Sequence, residues 1–289
     1  MTPRAPIGGT RTPLAATVAL DGPPESLAGI DGAATVIERP LRTAGTGAVV
    51  VTRGVPPAMG PLRSASAADA ALAAMWRADL VMTVARGGVV ANQRAAGLAA
   101  LEEGAGTQVV RRDPTRLAPY NAYAVASAAR SAAARAVPTR PADRSTPWTA
   151  GPPPSAGGRA IRQVSVDVAA STTVTWTWDA RQGTWHRSAR GDRQLAAGGT
   201  PLVAGTVVVA ETAAGRPRKL RGAGVAVVLR AGRRYAARWQ RAGPSDALRI
   251  ERRDGTSFPV EGTVWLHLCA APCARQIAPP PQRPYGAPR

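Results

Sequence analysis

The chain has 289 residues, of which 45% are hydrophobic and only 4% are aromatic. This length fits two domains, and this apolar content excludes wholesale disorder. The formal net charge is +19, and Lys219 is the single lysine among 37 basic residues, with no glycine-rich loop before it. A phosphate-loop or kinase-type ATP site is therefore excluded.

The first half of the chain alternates predicted strands and helices. Strands are predicted at 17–20, 35–38, 48–52, 80–85 and 109–111, and helices at 66–76, 90–103 and 122–136. Ser66 and Asp69 have the spacing of a capping box at the start of the first helix, and Gly87-Gly88 marks a turn. This alternation predicts an α/β layered domain over residues 1–136.

Residues 137–158 are dense in proline, glycine and serine, and this composition predicts a linker. Beyond it, short segments with period-two alternation, such as Val174, Trp176 and Trp178, predict a small antiparallel β domain over 159–275. Residues 276–289 are predicted to be a disordered proline-rich tail. The predicted fold class is α+β overall, with the α/β layered domain first and the antiparallel β domain second.

Cys269 and Cys273 are the two cysteines, and their spacing fits either a small disulfide loop or two free thiols. Too few cysteine and histidine residues accompany them to predict a metal site, and the sequence implies no cofactor. No apolar run reaches the roughly 20 residues of a membrane span, and no signal peptide or lipobox is visible. Taken literally, this N-terminus predicts a cytoplasmic protein.

Several short motifs occur in an order that is typical of one bacterial family. In the first half they are Gly60-Pro61-Leu62-Arg63-Ser64-Ala65, Gly87-Gly88 and Pro119-Tyr120-Asn121-Ala122-Tyr123. In the second half they are Trp185-x-Arg187, Val207–Val209, Gly222-x-Gly224, Trp239, Asp254-Gly255 and Gly262-Thr263-Val264-Trp265. From about Leu14 to Leu268 the chain resembles the YerB-like bacterial lipoprotein family.

The resemblance implies an N-terminal and a C-terminal domain of unknown function, export, tethering to the membrane and no established enzymatic activity. The chain departs from the family pattern in three places. It lacks the signal and lipobox, its loop from Glu38 to Gly45 has lost the second glycine and the usual arginine, and Tyr120 replaces the usual histidine. A family site at this loop is therefore altered or lost in this chain.

The motifs predict a cleft at one end of the first-half sheet. Arg63 and Ser64 precede the helix that begins near Ser66, where free N–H groups attract anions. The alternative is that the two serines cap the helix while Arg63 pairs with an acid. The predicted cleft, for a small polar or anionic ligand, comprises Glu38, Arg63, Ser64, Gly87, Gly88, Arg116, Asn121 and Tyr123.

Two interpretations fit the group of tryptophans at Trp176, Trp178 and Trp185. These residues fit a stacking platform for nucleic acid bases or sugars, but alternating tryptophans in a chain this poor in aromatic residues favour a packed hairpin core. No nucleophile motif accompanies His186 or His267, so no catalytic residue is assigned.

The leading hypothesis is a non-enzymatic protein of the cell envelope that binds a small polar or anionic ligand or a wall component. One alternative is a nucleic-acid-binding protein that uses the basic surface, although the arginine excess equally fits a GC-rich genome. Another is a cell-wall hydrolase with Glu38 as its acid. The sequence does not determine the oligomeric state.

Overall fold

The computed structural model describes residues 13–23, 26–41, 45–52, 56–76, 80–84, 99–101, 109–125, 128, 131, 147–213, 220–243 and 246–276. The helix whose full range is described is α1 (Ala67–Ala74), and residues 128 and 131 are also helical. The strands are β1 (Leu14–Ala19), β2 (Thr35–Pro40), β3 (Thr46–Thr52), β4 (Leu80–Met82), β5 (Ala99–Leu101), β6 (Val110–Arg112), β7 (Ala122–Ala124), β8 (Thr149–Ala150), β9 (Gly158–Ala160), β10 (Gln163–Ala169), β11 (Thr172–Asp179), β12 (Thr184–Ala189), β13 (Asp192–Arg193), β14 (Val203–Ala204), β15 (Thr206–Thr212), β16 (Gly222–Arg230), β17 (Arg233–Arg241), β18 (Arg249–Glu251), β19 (Pro259–Val260), β20 (Val264–Ala270) and β21 (Ala274–Gln276).

A large mixed sheet crosses the molecule. Its strand order is β18-β17-β16-β15-β20-β2-β3-β1-β4-β5, and β9 also pairs with β17. The central strand β20 pairs in parallel with both β15 and β2, so one sheet joins strands from both halves of the chain. A second sheet has the order β13-β12-β11-β10-β21, with β14 on β12. The remaining strands form the pairs β19-β8 and β6-β7.

Two hydrophobic cores cover the two faces of the large sheet. On one face, Val36, Val207 and Trp265 pack with Val164 and Trp176 of the second sheet. The opposite face carries Ile37, Val49 and Leu266 and packs with Leu72 and Trp76 in and beside α1. Strands β1 and β3 are buried on both faces, which explains their nearly unbroken apolar sequences.

Helix α1 begins as its sequence predicts. Ser66 accepts a hydrogen bond from the backbone N–H of Asp69, and the Asp69 carboxylate accepts one from the backbone N–H of Ser66. This reciprocal capping box satisfies backbone donors that the first turn leaves without partners.

The predicted α/β layering of the first half is present only in part: the predicted strands and α1 are there, but two segments predicted as helix form strands. Residues 99–101, predicted as helix, form β5 and pair with β4. Residues 122–124, also predicted as helix, form β7, and the carbonyl of Ala122 accepts from the N–H of Leu62. Alanine-rich sequence favours helix, but pairing with neighbouring strands overrides that preference. Residues 128 and 131 of the predicted helix 122–136 are helical, as predicted, and most of the rest of both predicted helices lies outside the described residues.

The second half confirms most of its predicted strands. Strands β11 and β12 form the predicted antiparallel hairpin, and Trp176 and Trp185 are fully buried between the sheets. Ala231 and Gly232 both have positive φ, as a tight two-residue hairpin turn requires. The parallel pairing of β15 with β20 was not predicted.

The proposed division into two domains remains a prediction, and the large sheet is continuous across it. Within the predicted linker, β8 pairs with β19 and the beginning of β9 pairs with β17, whereas residues 137–146 lie outside the description. Of the predicted tail, only Gln276 is described, at the end of β21. No helix in the described residues is long and apolar enough to span a membrane.

We predict that Ser66→Ala lowers the free energy of unfolding by about 1 kcal/mol, because the variant loses an N-cap side chain. Urea denaturation of the full chain measures this difference. Ser155→Ala, at an exposed loop position, is the matched control and should change little. Equal stabilities of the two variants would contradict the capping role.

Candidate functional site

The core between the two sheets contains a cluster of polar side chains. We call it the inter-sheet cluster, and its members are Glu38, Thr46, Trp176, Arg187, Trp265 and His267. Alternation along β2 and β20 directs these groups inward: Val36 is paired with Trp265 and Glu38 with His267 in the parallel register. Trp176 and Arg187 reach the cluster from the facing sheet.

Glu38 lies at the centre of the inter-sheet cluster and has no exposed surface. Its Oε1 accepts from Nη2 of Arg187 at 2.6 Å and from Oγ1 of Thr46 at 3.0 Å, and its Oε2 accepts from Nε1 of Trp265 at 3.0 Å. Burial by itself would raise the pKa of Glu38, but Arg187, His267 and the hydrogen bonds outweigh burial, so the pKa lies below its ordinary value.

His267 is held in its neutral form. Nε1 of Trp176 donates to its Nε2 at 2.8 Å, so the ring proton belongs on Nδ1. Nδ1 lies 3.3 Å from Oε2 of Glu38, close enough for attraction but without hydrogen-bond alignment. Burial and the neighbouring Arg187 lower the pKa of His267 to about 4, although Glu38 opposes them.

The arrangement resembles a carboxylate–histidine pair of a catalytic site, but its members face one another inside the core. The Arg187 guanidinium also lies over the Trp265 ring, 4.9 Å from its centroid. Since Glu38, Arg187 and His267 are each at most 1% exposed, a substrate has no route to them in this conformation. Their contacts stabilise the association of the two sheets.

A second charged cluster lies where β2 ends beside α1. We call it the Arg63 cluster; it comprises Asp21, Arg39, Arg63 and Asp69. Arg39 binds the Asp69 carboxylate with two nitrogens, Nε at 2.8 Å and Nη2 at 2.6 Å. Asp69 also accepts from the N–H and hydroxyl of Ser66. Arg63 contributes only a long contact of 3.4 Å through Nη2.

Arg63 is therefore poorly neutralised for a group that is 16% exposed. Its Nε has no hydrogen-bond partner among the described residues. Burial lowers the pKa of Arg63, with Arg39 acting in the same direction and Asp69 and Asp21 opposing. Two guanidinium groups share the Asp69 carboxylate, and Arg39 has the better geometry.

Glycines allow the Arg63 cluster to pack closely. A side chain at Gly47 would overlap the Arg63 guanidinium, and one at Gly45, whose φ is +90°, would overlap the Asp21 carboxylate. Burial raises the pKa of Asp21, although Arg190 and Arg63 oppose this effect. These glycines lie in and after the loop that departs from the family pattern, and residues 42–44 of that loop lie outside the description.

The structure brings only part of the predicted cleft together. Glu38 lies inside the core, whereas Ser64 is exposed and donates to the carbonyl of Val84. Thus Ser66 caps the helix, Ser64 does not, and Arg63 faces Asp69. Gly87 and Gly88 lie outside the described residues.

The other three predicted cleft residues lie together around β7. Arg116 pairs with Asp113 at 2.9 Å and lies over the Tyr123 ring, and Asn121 accepts from Arg112 at 2.8 Å. Leu62 donates to the carbonyl of Ala122, so two of the three family motifs of the first half, 60–65 and 119–123, are adjacent in space. The cleft as a ligand site remains a prediction.

Sequence reasoning did not place Arg39, Arg187 or His267 in a site. A usable signal was present at Glu38, which is a charged residue directly after Val36 and Ile37 in the predicted strand 35–38. Cys269 and Cys273 form a disulfide rather than two free thiols, which were the two alternatives that the sequence allowed. Within the described part of the chain, no group of histidine, cysteine and acidic residues could hold a metal ion.

Comparison with known proteins supports the YerB-like resemblance. Residues 164–266 match the model of the C-terminal domain of a protein of unknown function, DUF3048. The chain is similar to the crystal structure of YerB from Bacillus subtilis, with a TM-score of 0.73 and 17% identity over 89% of this chain and 90% of that chain. No functionally curated protein matches the sequence. The predicted resemblance is confirmed. At 17% identity, the similarity to the YerB structure establishes the fold alone.

We predict that the free energy of unfolding falls as the pH is lowered from 6.5 towards 4. Between these values the unfolded chain binds a proton at His267 and the folded protein does not, so protonation favours unfolding. The full effect is about 3 kcal/mol, at about 1.4 kcal/mol per pKa unit. Chemical denaturation across this pH range measures it.

The His267→Gln variant should show a shallower pH dependence than the wild type. Burial also lowers the pKa of His186, so His186→Gln is the comparison and should retain most of the decline. An unchanged slope in His267→Gln would contradict the assignment.

Proposed function

We propose that this protein is a non-enzymatic binding protein and that a small anionic ligand binds at the Arg63 cluster. The observation that carries the proposal is the Arg63 guanidinium, which is largely buried, has an unpartnered Nε among the described residues and makes only one long ion pair. A buried cation with this little compensation favours an anion nearby.

The composition of the Arg63 cluster supports an anionic rather than a cationic ligand. Asp69 already accepts bonds from Arg39 and Ser66, so its negative charge is largely committed. Burial raises the pKa of Asp21, which makes its charged form less favourable. A ligand carboxylate or phosphate would give Arg63 the planar, two-oxygen partner that a guanidinium prefers.

The hydrolase alternative loses its proposed acid. Glu38 is fully buried, and three donors from within the chain already occupy its oxygens. A general acid must come within hydrogen-bond distance of its substrate. We therefore assign Glu38 a structural role.

The nucleic-acid alternative loses its stacking platform. Trp176 and Trp185 have no exposed surface, and Trp178 is partly buried against Trp185 at a centroid distance of 5.2 Å. Bases stack only on exposed aromatic faces. The basic charge alone favours weak, salt-sensitive attraction to any polyanion.

We predict that inorganic phosphate stabilises the wild-type protein more than Arg63→Gln. A ligand that binds only the folded state stabilises it by about 2.7 kcal/mol at 100 times its Kd. Thermal unfolding at increasing phosphate, with ionic strength held constant by sodium chloride, measures the increment separately from any loss of basal stability. Arg162→Gln, at an exposed position elsewhere, is the matched control and should retain the full increment. An equal increment in wild type and Arg63→Gln would refute the site.

We further propose that the protein works in the cell envelope. The Cys269–Cys273 disulfide supports this location, since disulfides persist in oxidising compartments. The family resemblance points the same way. The backbone N–H of Cys273 donates to the Glu211 carboxylate at 3.1 Å, which ties the disulfide loop to the large sheet.

When cells of the native host are fractionated, the protein is expected in the envelope fraction. Its two cysteines should resist alkylation by iodoacetamide until a reductant is added. Mass spectrometry measures both the alkylation and the mature N-terminus. Recovery from the soluble interior with two freely alkylated thiols would refute the envelope location without affecting the phosphate experiment.

A further inference from the structure

Asp21 is a member of the Arg63 cluster that makes no ion pair with any described residue. Its own backbone N–H donates a hydrogen bond to the carboxylate. Burial raises the pKa of Asp21 and Glu38 adds to this rise, whereas Arg190 and Arg63 oppose it. Both guanidinium groups are therefore close to the Asp21 carboxylate, yet neither is paired with it. A gap lies between Asp21 and the two arginines.

Two glycines locate this gap. A side chain at Gly45 would overlap the Asp21 carboxylate, and one at Gly47 would overlap the Arg63 guanidinium. The Cα atoms of Gly45 and Gly47 are at most about 7 Å apart, since only two residues of chain separate them. Asp21 and Arg63 therefore lie beside one short stretch of backbone. A single small oxyanion can bridge the two groups.

Arg190 approaches the same gap from the second sheet. Arg190 and Gly191 are the two central residues of the turn between β12 and β13, with φ of 56° and 88°. This turn type favours asparagine or glycine at these positions, and an arginine there has a strained backbone. Arg190 is exposed and makes no ion pair with a described residue. The turn does not require an arginine here, so its guanidinium is available to a ligand.

Tyr120 is the fourth group near the gap. Its ring packs on Gly22, where an added side chain would come within 2.7 Å of the ring. Burial and Asp21 raise the pKa of Tyr120, although Arg190 opposes them. Because both charges act on the phenolic hydroxyl, it lies near Asp21 and Arg190. At neutral pH this hydroxyl keeps its proton and is a neutral hydrogen-bond donor.

The Asp21 carboxylate limits which anion fits the gap. An ionised carboxylate only accepts hydrogen bonds, so it repels an oxyanion without a proton and binds one that has a hydroxyl. Inorganic hydrogen phosphate keeps a proton at neutral pH, whereas sulfate has none, and a phosphate monoester loses its last proton at about pH 6. Burial raises the pKa of Asp21, which favours sharing a proton with the ligand.

We propose that the Arg63 cluster binds inorganic hydrogen phosphate and that Asp21 excludes sulfate. Arg63 and Arg190 donate to phosphate oxygens, and the phosphate hydroxyl donates to the Asp21 carboxylate. Tyr120 donates to a remaining oxygen. Sulfate would place an acceptor against the acceptor at Asp21. This inference rests on the proposed function, because it names the anion and the groups that select it.

The experiment measures thermal unfolding of the full chain at neutral pH with increasing phosphate or sulfate, at constant ionic strength. Both anions also stabilise proteins by exclusion from the surface, so the increment that remains in Arg63→Gln is subtracted for each. Asp21→Asn replaces the carboxylate with an amide that donates to either anion. Asp31→Asn, at an exposed loop position, removes the same charge and is the matched control. Arg190→Asn removes the guanidinium and provides a residue that the turn favours.

Wild type and Asp31→Asn should bind phosphate at least about tenfold more tightly than sulfate, because sulfate leaves the Asp21 carboxylate without a donor. Asp21→Asn should bind the two anions within about threefold of each other. Arg190→Asn should weaken phosphate binding at least about fivefold without lowering the Tm measured without either anion.

Equal Kd values for the two anions in wild type, or a preference for phosphate that survives in Asp21→Asn, would overturn the proposal. An unchanged phosphate Kd in Arg190→Asn would overturn the part assigned to Arg190. In these cases the proposed function stands as long as stabilisation by phosphate depends on Arg63. A phosphate response that is independent of Arg63 would refute the proposed function and this inference together.

Discussion

The ion pair between Glu38 and Arg187 is the constraint on which the inter-sheet core depends. Taking two charges out of water costs several kcal/mol each, and only close pairing with further hydrogen bonds offsets this cost. Thr46 and Trp265 donate those hydrogen bonds to Glu38, and His267, which accepts from Trp176, lies 3.3 Å from the same carboxylate. Because the members come from β2, β3, β11, β12 and β20, the pair fixes how the second sheet sits on the first.

Two adjacent residues of β2 link the core to the proposed ligand site. Glu38 faces the inter-sheet core, whereas Arg39 faces α1 and binds Asp69. Asp69 also caps the helix, so strand end and helix start are held by the same carboxylate. Arg63 therefore lies beside Arg39 and Asp69, whose positions are fixed by several hydrogen bonds. A ligand would not have to order these side chains as it binds.

Local signals in the sequence predicted local structure, but they did not predict which strands would pair with one another. The capping box at Ser66 and the hairpin after Thr173 depend on residues close in the chain, and both are present. The prediction failed at 122–124, because alanine content favours helix and the sequence does not show that these residues contact Leu62. Alternation could predict that Glu38 shares a face with Val36. It could not predict that Trp265 would be its neighbour, because parallel partners carry no shared turn signal.

The position of β20 has a consequence for the synthesis of the protein. Trp265 follows Glu38 by 227 residues, yet β20 lies between β2 and β15. The whole segment from β2 to β20 must leave the ribosome before this central strand is available. Until then β2 and β15 each present an unpaired edge, and Glu38 has an incomplete set of partners. Such a high contact order implies slow folding and a nascent chain that depends on protection from aggregation.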